Sequence, residues 1–156
     1  MRHRIRGAAV VVHDDRLLLA RHDDRGRSLS WWSPPGGGVE GEEDILAAAA
    51  REALEETSLR VVAERPVYGQ ELVDRRRGSR TLEYFVLCRL APDASPGDVR
   101  AANEIAAARW VDRAEAAGLP ILPDAFATVF WDDLAAGFPT FRHLGLTVVG
   151  GGPDAD

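Results

Sequence analysis

The sequence contains no lysine and only one cysteine, Cys88. A single cysteine excludes an intrachain disulfide, and we expect a reducing compartment, the cytoplasm. All 19 basic residues are therefore arginines, whose planar guanidinium groups can hold a phosphate through two parallel hydrogen bonds. The apolar run near the amino end, Ala8 to Val12, has five residues, which is too short for the hydrophobic segment of a secretion signal.

Long hydrophobic runs are also missing, so no segment is predicted to span a membrane. The 25 acidic residues outnumber the 19 basic ones, and the formal net charge is -6. A negatively charged chain is poorly suited to bind extended nucleic acid or an anionic membrane surface. The length of 156 residues fits one domain that is large enough to bury a core of its own.

Apolar residues recur with strand and helix spacing along most of the chain. The first two apolar segments, separated by Asp14 and Asp15, predict a β-hairpin, and a polar loop is predicted over residues 22–30. The segment 81–90 is apolar on both faces and predicts a central strand. The remaining predictions are strands over residues 59–68, 70–73 and 105–111, and helices over residues 112–117 and 123–136.

The segment 35–59 has the most informative pattern. Three glycines and four acidic residues, of which Asp44 is the predicted N-cap, lead into a helix. Within that helix Glu52, Glu55 and Glu56 have the spacing i, i+3 and i+4, so their carboxylates share one stripe. Each like-charge pair costs roughly a few tenths of a kcal/mol on an isolated helix, and a hard divalent cation would compensate for the repulsion.

This pattern resembles the Nudix box, in which a glycine, a glutamate, an Arg-Glu pair, a Glu-Glu pair and a final glycine have fixed spacing. Six of the seven fixed residues are present. Ser58 replaces the final glycine, at a position where a left-handed backbone favours glycine. Ala53 is small where the box usually has a larger aliphatic residue. The matching residues are Gly37, Glu43, Arg51, Glu52, Glu55 and Glu56.

The resemblance to Nudix hydrolases of the MutT type implies a fold but assigns no subfamily. We expect an α/β fold, a single-domain α/β/α sandwich with a mixed β-sheet over residues 1–149. The sheet should lie between the box helix and the helix predicted over residues 123–136. The glycine-rich residues 150–156 have little to bury and are predicted to form a disordered tail.

The resemblance also implies an enzyme that hydrolyses a phosphoanhydride bond in a nucleoside diphosphate linked to another group, using Mg²⁺ or Mn²⁺. Arg51 and Glu43 match the pair that orients the box helix and its carboxylates. The general base is either Glu52 or Glu104, which precedes Trp110 much as a metal-site glutamate does in the family. The expected metal ligands are the Gly36 carbonyl and the carboxylates of Glu52, Glu55, Glu56 and Glu104.

Other arginines are candidates for binding substrate phosphates. Arg21, Arg25 and Arg27 surround the predicted loop, and Arg77 lies in a predicted hairpin tip over residues 74–80. Both segments have an alternative interpretation as solvated turns. The neighbouring tryptophans, Trp31 and Trp32, have two alternative roles, stacking on a nucleobase or packing in the core.

The expected partner is a small nucleotide, and neither extended nucleic acid nor a membrane is expected to bind. An alternative function is a non-catalytic Nudix-like module that binds a nucleotide or a protein without turnover. Such a module would release no phosphate with any metal. The aromatic residues between Phe126 and Phe141 are more than one small domain is expected to cover, which predicts a homodimer.

Overall fold

The computed structural model describes residues 1–151, and residues 152–156 of the predicted tail lie outside the described part. The strands are β1 (Arg2–His13), β2 (Arg16–Asp24), β3 (Leu29–Ser33), β4 (Gly36–Gly38), β5 (Val61–Asp74), β6 (Ser79–Leu90), β7 (Ala107–Val111) and β8 (Arg142–Val149). The helices are α1 (Ile45–Thr57), α2 (Arg113–Ala117) and α3 (Val129–Ala136), with 3-10 turns at Pro96–Asp98 and Asp124–Ala127. Within residues 1–151, no helix combines the length and the apolar character needed to cross a membrane.

The strands form one mixed sheet. The strand order is β3-β2-β1-β6-β5-β8, and β4 and β7 pair with β1 and β2 beside this path. The pairs β1 with β6 and β5 with β8 are parallel, and the other pairs are antiparallel. Because β6 lies between β1 and β5, the prediction of a central strand over residues 81–90 is confirmed.

Alternate residues of β1 pack into different core clusters. Ala8 and Val10 belong to a cluster with the aromatic residues that follow residue 120, whereas Ala9 and Val11 belong to a cluster with α1. This alternation follows the two-residue period of a strand and produces the expected α/β/α layers. On the α1 side the approach is close, because a Cβ on Gly7 would lie 2.7 Å from a backbone carbonyl oxygen of that helix.

The helix predicted over residues 123–136 is interrupted. A 3-10 turn covers its first part, and α3 begins only at Val129 because the Thr128 backbone, with φ of -130° and ψ of -98°, is not helical. Phe126 and Phe130 are fully buried in the domain's own core. Phe141, at the other end of the aromatic run that motivated a homodimer, is 49% exposed, and the homodimer stays a prediction.

The polar loop predicted over residues 22–30 is wrong. β2 continues to Asp24 and β3 begins at Leu29, so only residues 25–28 form the turn. His22 pairs with Trp31 across this hairpin. The backbone makes its ladder hydrogen bonds whether or not the side chains are apolar, so polar side chains do not exclude a strand.

Two further strand predictions need correction. The segments predicted over residues 59–68 and 70–73 are one strand, β5, with two register shifts against β6. No strand is predicted over residues 142–149, yet β8 forms there and pairs in parallel with β5 at the end of the sheet. Most side chains of β8 are exposed, so the strand lacks the alternation of buried and exposed residues that a sequence pattern can reveal.

α1 begins and ends where the sequence predicts. The Asp44 side chain accepts a hydrogen bond from the Ala47 amide at 2.8 Å, which caps the first turn. Ser58 follows the last turn in the left-handed conformation, with φ of 64°, and its amide donates to the Leu54 carbonyl. The Ser58 hydroxyl also donates to the Arg100 carbonyl at 3.1 Å. A serine therefore replaces the usual glycine at the cost of a strained backbone, and the hydroxyl provides partial compensation.

Replacing Ser58 should separate the backbone strain from the hydroxyl contact. Ser58→Gly relieves about 1 kcal/mol of left-handed strain but loses one exposed hydrogen bond, so its free energy of unfolding should equal or exceed that of the wild type. Ser58→Ala loses the hydrogen bond and keeps the strain, so it should be less stable than Ser58→Gly by about 1 kcal/mol. Denaturant unfolding measures both values, and equal stabilities of the two variants would contradict this assignment.

Candidate active site

The three glutamates of the α1 stripe differ in their surroundings. The side chains of Glu52 and Glu55 are 13% and 44% exposed, respectively, and both contact Arg51. Glu56 is buried, with 8% of the residue exposed. Within about one turn of helix, the stripe therefore combines one exposed carboxylate, that of Glu55, with two that are largely buried.

Arg51 is the cation at the centre of this stripe. Its Nη1 atom donates to Glu52 Oε1 at 2.9 Å and to Glu55 Oε2 at 3.1 Å. Its Nη2 atom donates to Glu43 Oε1 at 2.6 Å and to the Gly38 carbonyl at 3.0 Å. The Arg51 guanidinium holds the pKa of Glu43 below its usual range, and Glu43 in turn raises the pKa of Arg51. The two sequence-predicted residues are thus in contact, and their orienting role stays a prediction.

Glu56 carries a carboxylate oxygen without a protein partner. Its Oε2 atom is buried and accepts no hydrogen bond from the described residues. Burial, and after it the neighbouring Glu52 carboxylate, raise the pKa of Glu56 to about 8, although the Gly36 amide and Arg6 oppose the rise. A buried carboxylate oxygen without a hydrogen bond destabilises the folded state, and its lone pairs remain available to a cation.

The glycines of β4 lie directly against the stripe. A Cβ on Gly37 would overlap the Glu52 carboxylate, so only glycine allows Glu52 its present position. By contrast, a Cβ on Gly38 would have its nearest neighbour, an arginine nitrogen, 3.9 Å away. The glycine strand therefore contributes backbone groups to the site and leaves space for the carboxylates.

The residues of this site fit a hard divalent cation. In residues 1–151, no three histidine, cysteine, aspartate or glutamate side chains are already gathered as a metal-binding group, and Arg51 contacts two of the three stripe glutamates. The donor set of carboxylates and a backbone carbonyl is nevertheless the one that Mg²⁺ prefers. The unpartnered Glu56 oxygen and the close approach of Glu52 to Gly37 both agree with such a cation.

Glu104 lies outside α1, in the loop that precedes β7. It is exposed, in a loop that is joined to the end of α1 by a hydrogen bond from the Ala102 amide to the Glu56 carbonyl at 3.0 Å. Residues 1–151 contain no preformed metal-binding group of three histidine, cysteine, aspartate or glutamate side chains, so Glu104 belongs to none. Its role as a ligand or base therefore stays a prediction.

None of the four arginines predicted to bind substrate lines the cavity of about 710 Å³ that is described below. Arg21 pairs with Asp23 at 3.1 Å, and its guanidinium also lies 5.9 Å from the centre of the Trp32 ring. Arg25 is exposed in the β2–β3 turn. Arg27 and Arg77 pair with the acidic residues three positions before them, Asp24 and Asp74. An acidic residue thus lies beside three of these four arginines, and the contact of all four with substrate stays a prediction.

A cavity of about 710 Å³ lies on the sheet face opposite α1. Trp31 contributes to its wall and stacks on His22 with ring centres 5.4 Å apart, whereas Trp32 is buried. The pKa of His22 is lowered by burial and by Arg6, so the imidazole is neutral near pH 7. The lining residues are Arg6, His22, Trp31, Ser33, Pro34, Gln70, Leu72, Glu83, Phe85, Leu122, Pro123, Asp124, Thr147 and Val149.

The polar residues of this cavity had no role in the sequence-based predictions, among them Arg6, Gln70 and Glu83. One signal could have indicated Glu83, because a charged residue inside a strand that is otherwise apolar on both faces requires a partner. That partner is Arg6, whose Nε atom donates to Glu83 Oε2 at 2.8 Å. The two residues are 77 positions apart in sequence, so only the parallel pairing of β1 with β6 brings them together.

The sequence also matches the family model of the NUDIX domain over residues 2–131. The chain therefore belongs to the Nudix family, and it is a hydrolase that acts on acid anhydrides. Members of this family generally use divalent metals and act on small nucleotide substrates. A sequence comparison with curated proteins found no match.

Solved structures share the fold. A NUDIX hydrolase from Nitrosomonas europaea is 25% identical, with a TM-score of 0.66 over 91% of this chain and 93% of that one. A second structure of a NUDIX hydrolase from the same organism is 18% identical, with a TM-score of 0.71 over 96% and 81%. An ADP-ribose pyrophosphatase from Streptococcus suis is 20% identical, with a TM-score of 0.61 over 92% and 98%.

The buried Glu56 carboxyl predicts how the stability of the metal-free protein depends on pH. Its folded pKa of about 8 lies above the ordinary 4.5, so the folded state binds the proton more tightly. This stabilisation is complete below the ordinary pKa and is lost as pH rises through the folded pKa. In EDTA, the melting temperature of Glu56→Gln should equal that of the wild type at about pH 5 and exceed it at about pH 9. Parallel curves for the two proteins would contradict this pKa.

A methyl group at position 37 should displace the Glu52 carboxylate. Gly37→Ala should fold, because the flexible end of Glu52 can move, but kcat/KM should fall by about 10- to 100-fold as a group of the site is misplaced. Gly38→Ala is the matched control, since its added methyl group meets open space, and it should retain activity. If the two variants have the same activity, the close contact between Gly37 and Glu52 does not matter for catalysis.

Proposed function

We propose that this chain hydrolyses a phosphoanhydride bond in a nucleoside diphosphate joined to another group, with Mg²⁺ or Mn²⁺ bound at the glutamate stripe of α1. The observation that carries the proposal is the buried Oε2 atom of Glu56, which has no hydrogen-bond partner among residues 1–151 and lies beside Glu52. A cation would satisfy this oxygen and remove the repulsion between the two carboxylates. The similar pyrophosphatase from Streptococcus suis is named for ADP-ribose, a compound of the proposed class.

Four groups would hold the cation, namely the carboxylates of Glu52, Glu55 and Glu56 and the carbonyl of Gly36. All four are oxygen donors, which hard divalent cations prefer. A bound cation would neutralise phosphate charge and lower the pKa of a water molecule. The Gly36 carbonyl already accepts a hydrogen bond from Arg6 at 3.2 Å and has a second lone pair available.

Arg51 would hold the carboxylates of the stripe in position. It contacts Glu52 and Glu55 directly, and Glu43 fixes its guanidinium from the other side. This arrangement offsets the repulsion between the carboxylates and limits the rotamers that they can adopt. The general base would be Glu52, which lies within the stripe, or alternatively Glu104. Glu104→Gln should lower kcat without weakening metal affinity if Glu104 is only the base.

We further propose that the protein acts in the cytoplasm on a small nucleotide, either as a monomer or as the homodimer expected from its sequence. The free and buried Cys88 supports a reducing compartment. Burial raises the pKa of the Cys88 thiol to about 12, so it is not a reactive thiolate.

Glutamine substitutions in the stripe should separate catalysis from stability. Glu52→Gln, Glu55→Gln and Glu56→Gln keep the size of each side chain but remove its charge, so kcat/KM should fall by about 100-fold or more at Glu52 and Glu56. In the metal-free protein Glu56→Gln should raise the melting temperature. Glu52→Gln and Glu55→Gln should not, because each also loses an attractive contact with Arg51.

The matched control is Glu42→Gln, which removes an exposed charge just before the same helix. It should change the free energy of unfolding by less than about 0.5 kcal/mol and leave turnover unchanged. The assay uses ADP-ribose and nucleoside triphosphates with Mg²⁺ or Mn²⁺, and mass spectrometry identifies the products. Turnover near the wild-type value in all three stripe variants would refute the site. Nucleotide binding without phosphate release under any condition would instead indicate a non-catalytic module.

A further inference from the structure

Arg6 lies between the cavity and the carboxylate stripe. Its neighbour Gly7 faces α1, so by strand alternation Arg6 itself projects from the opposite face of the sheet, where it lines the cavity. Its Nη2 atom nevertheless reaches the carbonyl of Gly36 at 3.2 Å, and its charge acts on Glu56. One side chain thus contacts both the cavity and the backbone that borders the stripe.

Glu83 holds Arg6 in this position. The Glu83 Oε2 atom accepts the Arg6 Nε–H at 2.8 Å, and its Oε1 atom accepts a hydrogen bond from Gln70 Nε2 at 3.0 Å. The Glu83 side chain is 15% exposed, whereas that of Arg6 is 32% exposed. The carboxylate is therefore the enclosed member of the pair, and the guanidinium keeps an accessible edge toward the cavity.

Arg6 is the only arginine that lines this cavity in the described residues. The other basic residue of the wall, His22, is engaged with the Ser33 hydroxyl at 3.0 Å and stacks on Trp31. An anionic group that enters from the cavity toward α1 therefore meets one positive side chain. An arginine can offer such a group charge-assisted hydrogen bonds, and phosphate oxygens accept these well.

We propose that Arg6 binds a phosphate of the substrate at the junction of the cavity and the glutamate stripe, and that Glu83 is the residue that positions its guanidinium. This inference rests on the proposed function and deepens it, because it defines how the substrate lies. The organic group that adjoins the phosphate occupies the cavity, and the phosphate chain passes over Gly36 toward α1.

The cavity walls define the class of that organic group. Trp31, Phe85 and Leu72 provide flat or aliphatic surface, and Ser33 and Gln70 provide polar contacts. A volume of about 710 Å³ is sufficient for a nucleoside and falls within the range of small-molecule sites. The substrate class is therefore a nucleotide whose base and sugar enter the cavity and whose first phosphate meets Arg6.

Equilibrium binding without turnover tests this assignment. The probes are the common ribonucleosides and their 5′-monophosphates, titrated into the full-length protein in EDTA and followed by calorimetry. In the wild type, at least one monophosphate should bind about tenfold or more tightly than its own nucleoside, as a charge-assisted contact predicts. In Arg6→Gln, the ratio of the affinity for the monophosphate to the affinity for its nucleoside should fall to near one. The affinity for the nucleoside itself should be unchanged.

Three variants accompany this measurement. The double variant Arg6→Gln with Glu83→Gln removes both charges, so it leaves no unpaired buried carboxylate even if Arg6→Gln alone folds poorly. Arg6→Lys keeps the charge without the planar fork and should give an intermediate ratio, and Glu83→Gln alone should do the same through a loosened guanidinium. Arg4→Gln is the matched control, because Arg4 lies two residues along the same face of β1 outside the cavity and should leave the ratio unchanged.

The assignment is overturned if the ratio persists in both the Arg6→Gln and the double variant. It is also overturned if Arg4→Gln lowers the ratio equally, or if the wild type prefers no monophosphate to its nucleoside. These outcomes are independent of metal and turnover, so they leave the glutamate stripe untouched. Conversely, active glutamine variants of the stripe combined with a lost phosphate preference in Arg6→Gln would refute the proposed catalytic metal site on α1 but not the phosphate contact.

Discussion

The distribution of charge on α1 is the constraint on which the site depends. One guanidinium, that of Arg51, contacts Glu43, Glu52 and Glu55, whereas the buried Oε2 atom of Glu56 has no protein partner within residues 1–151. The Arg51 guanidinium thus offsets the repulsion around Glu52 and Glu55, whereas no positive group contacts the buried Glu56 oxygen within the described residues. In the function proposed above, a divalent cation binds at Glu56 and supplies that positive charge.

Glycines of the sheet allow α1 and its carboxylates to lie in this arrangement. Gly7 lets α1 approach β1 closely, and Gly37 leaves room for the Glu52 carboxylate. Gly36 connects the two faces of the sheet, since its amide acts on Glu56 while its carbonyl accepts a hydrogen bond from Arg6. Because these residues have no side chain, backbone groups can approach the stripe directly. Gly36 thus lies between the stripe and Arg6, which lines the cavity.

The sequence was sufficient to predict those features that depend on local spacing. The cap at Asp44, the left-handed backbone at Ser58 and the shared stripe of glutamates all arise within one short segment, and helix geometry alone relates them. The pairing of Arg6 with Glu83 was not predictable in this way, because it depends on parallel pairing of distant strands. The same reason applies to β8, whose neighbour β5 is far away in the sequence and whose side chains are mostly exposed.

The proposed divalent cation would bind at Glu56, the most deeply buried carboxylate of the α1 stripe. The most direct measurement is anomalous diffraction from crystals of the protein soaked in Mn²⁺, which locates the metal without reference to activity. Our account predicts an anomalous peak within bonding distance of the Glu56 Oε2 atom, with Glu52 as a further ligand. A fully occupied peak elsewhere on the protein, with Glu56 still unpartnered, would contradict the account.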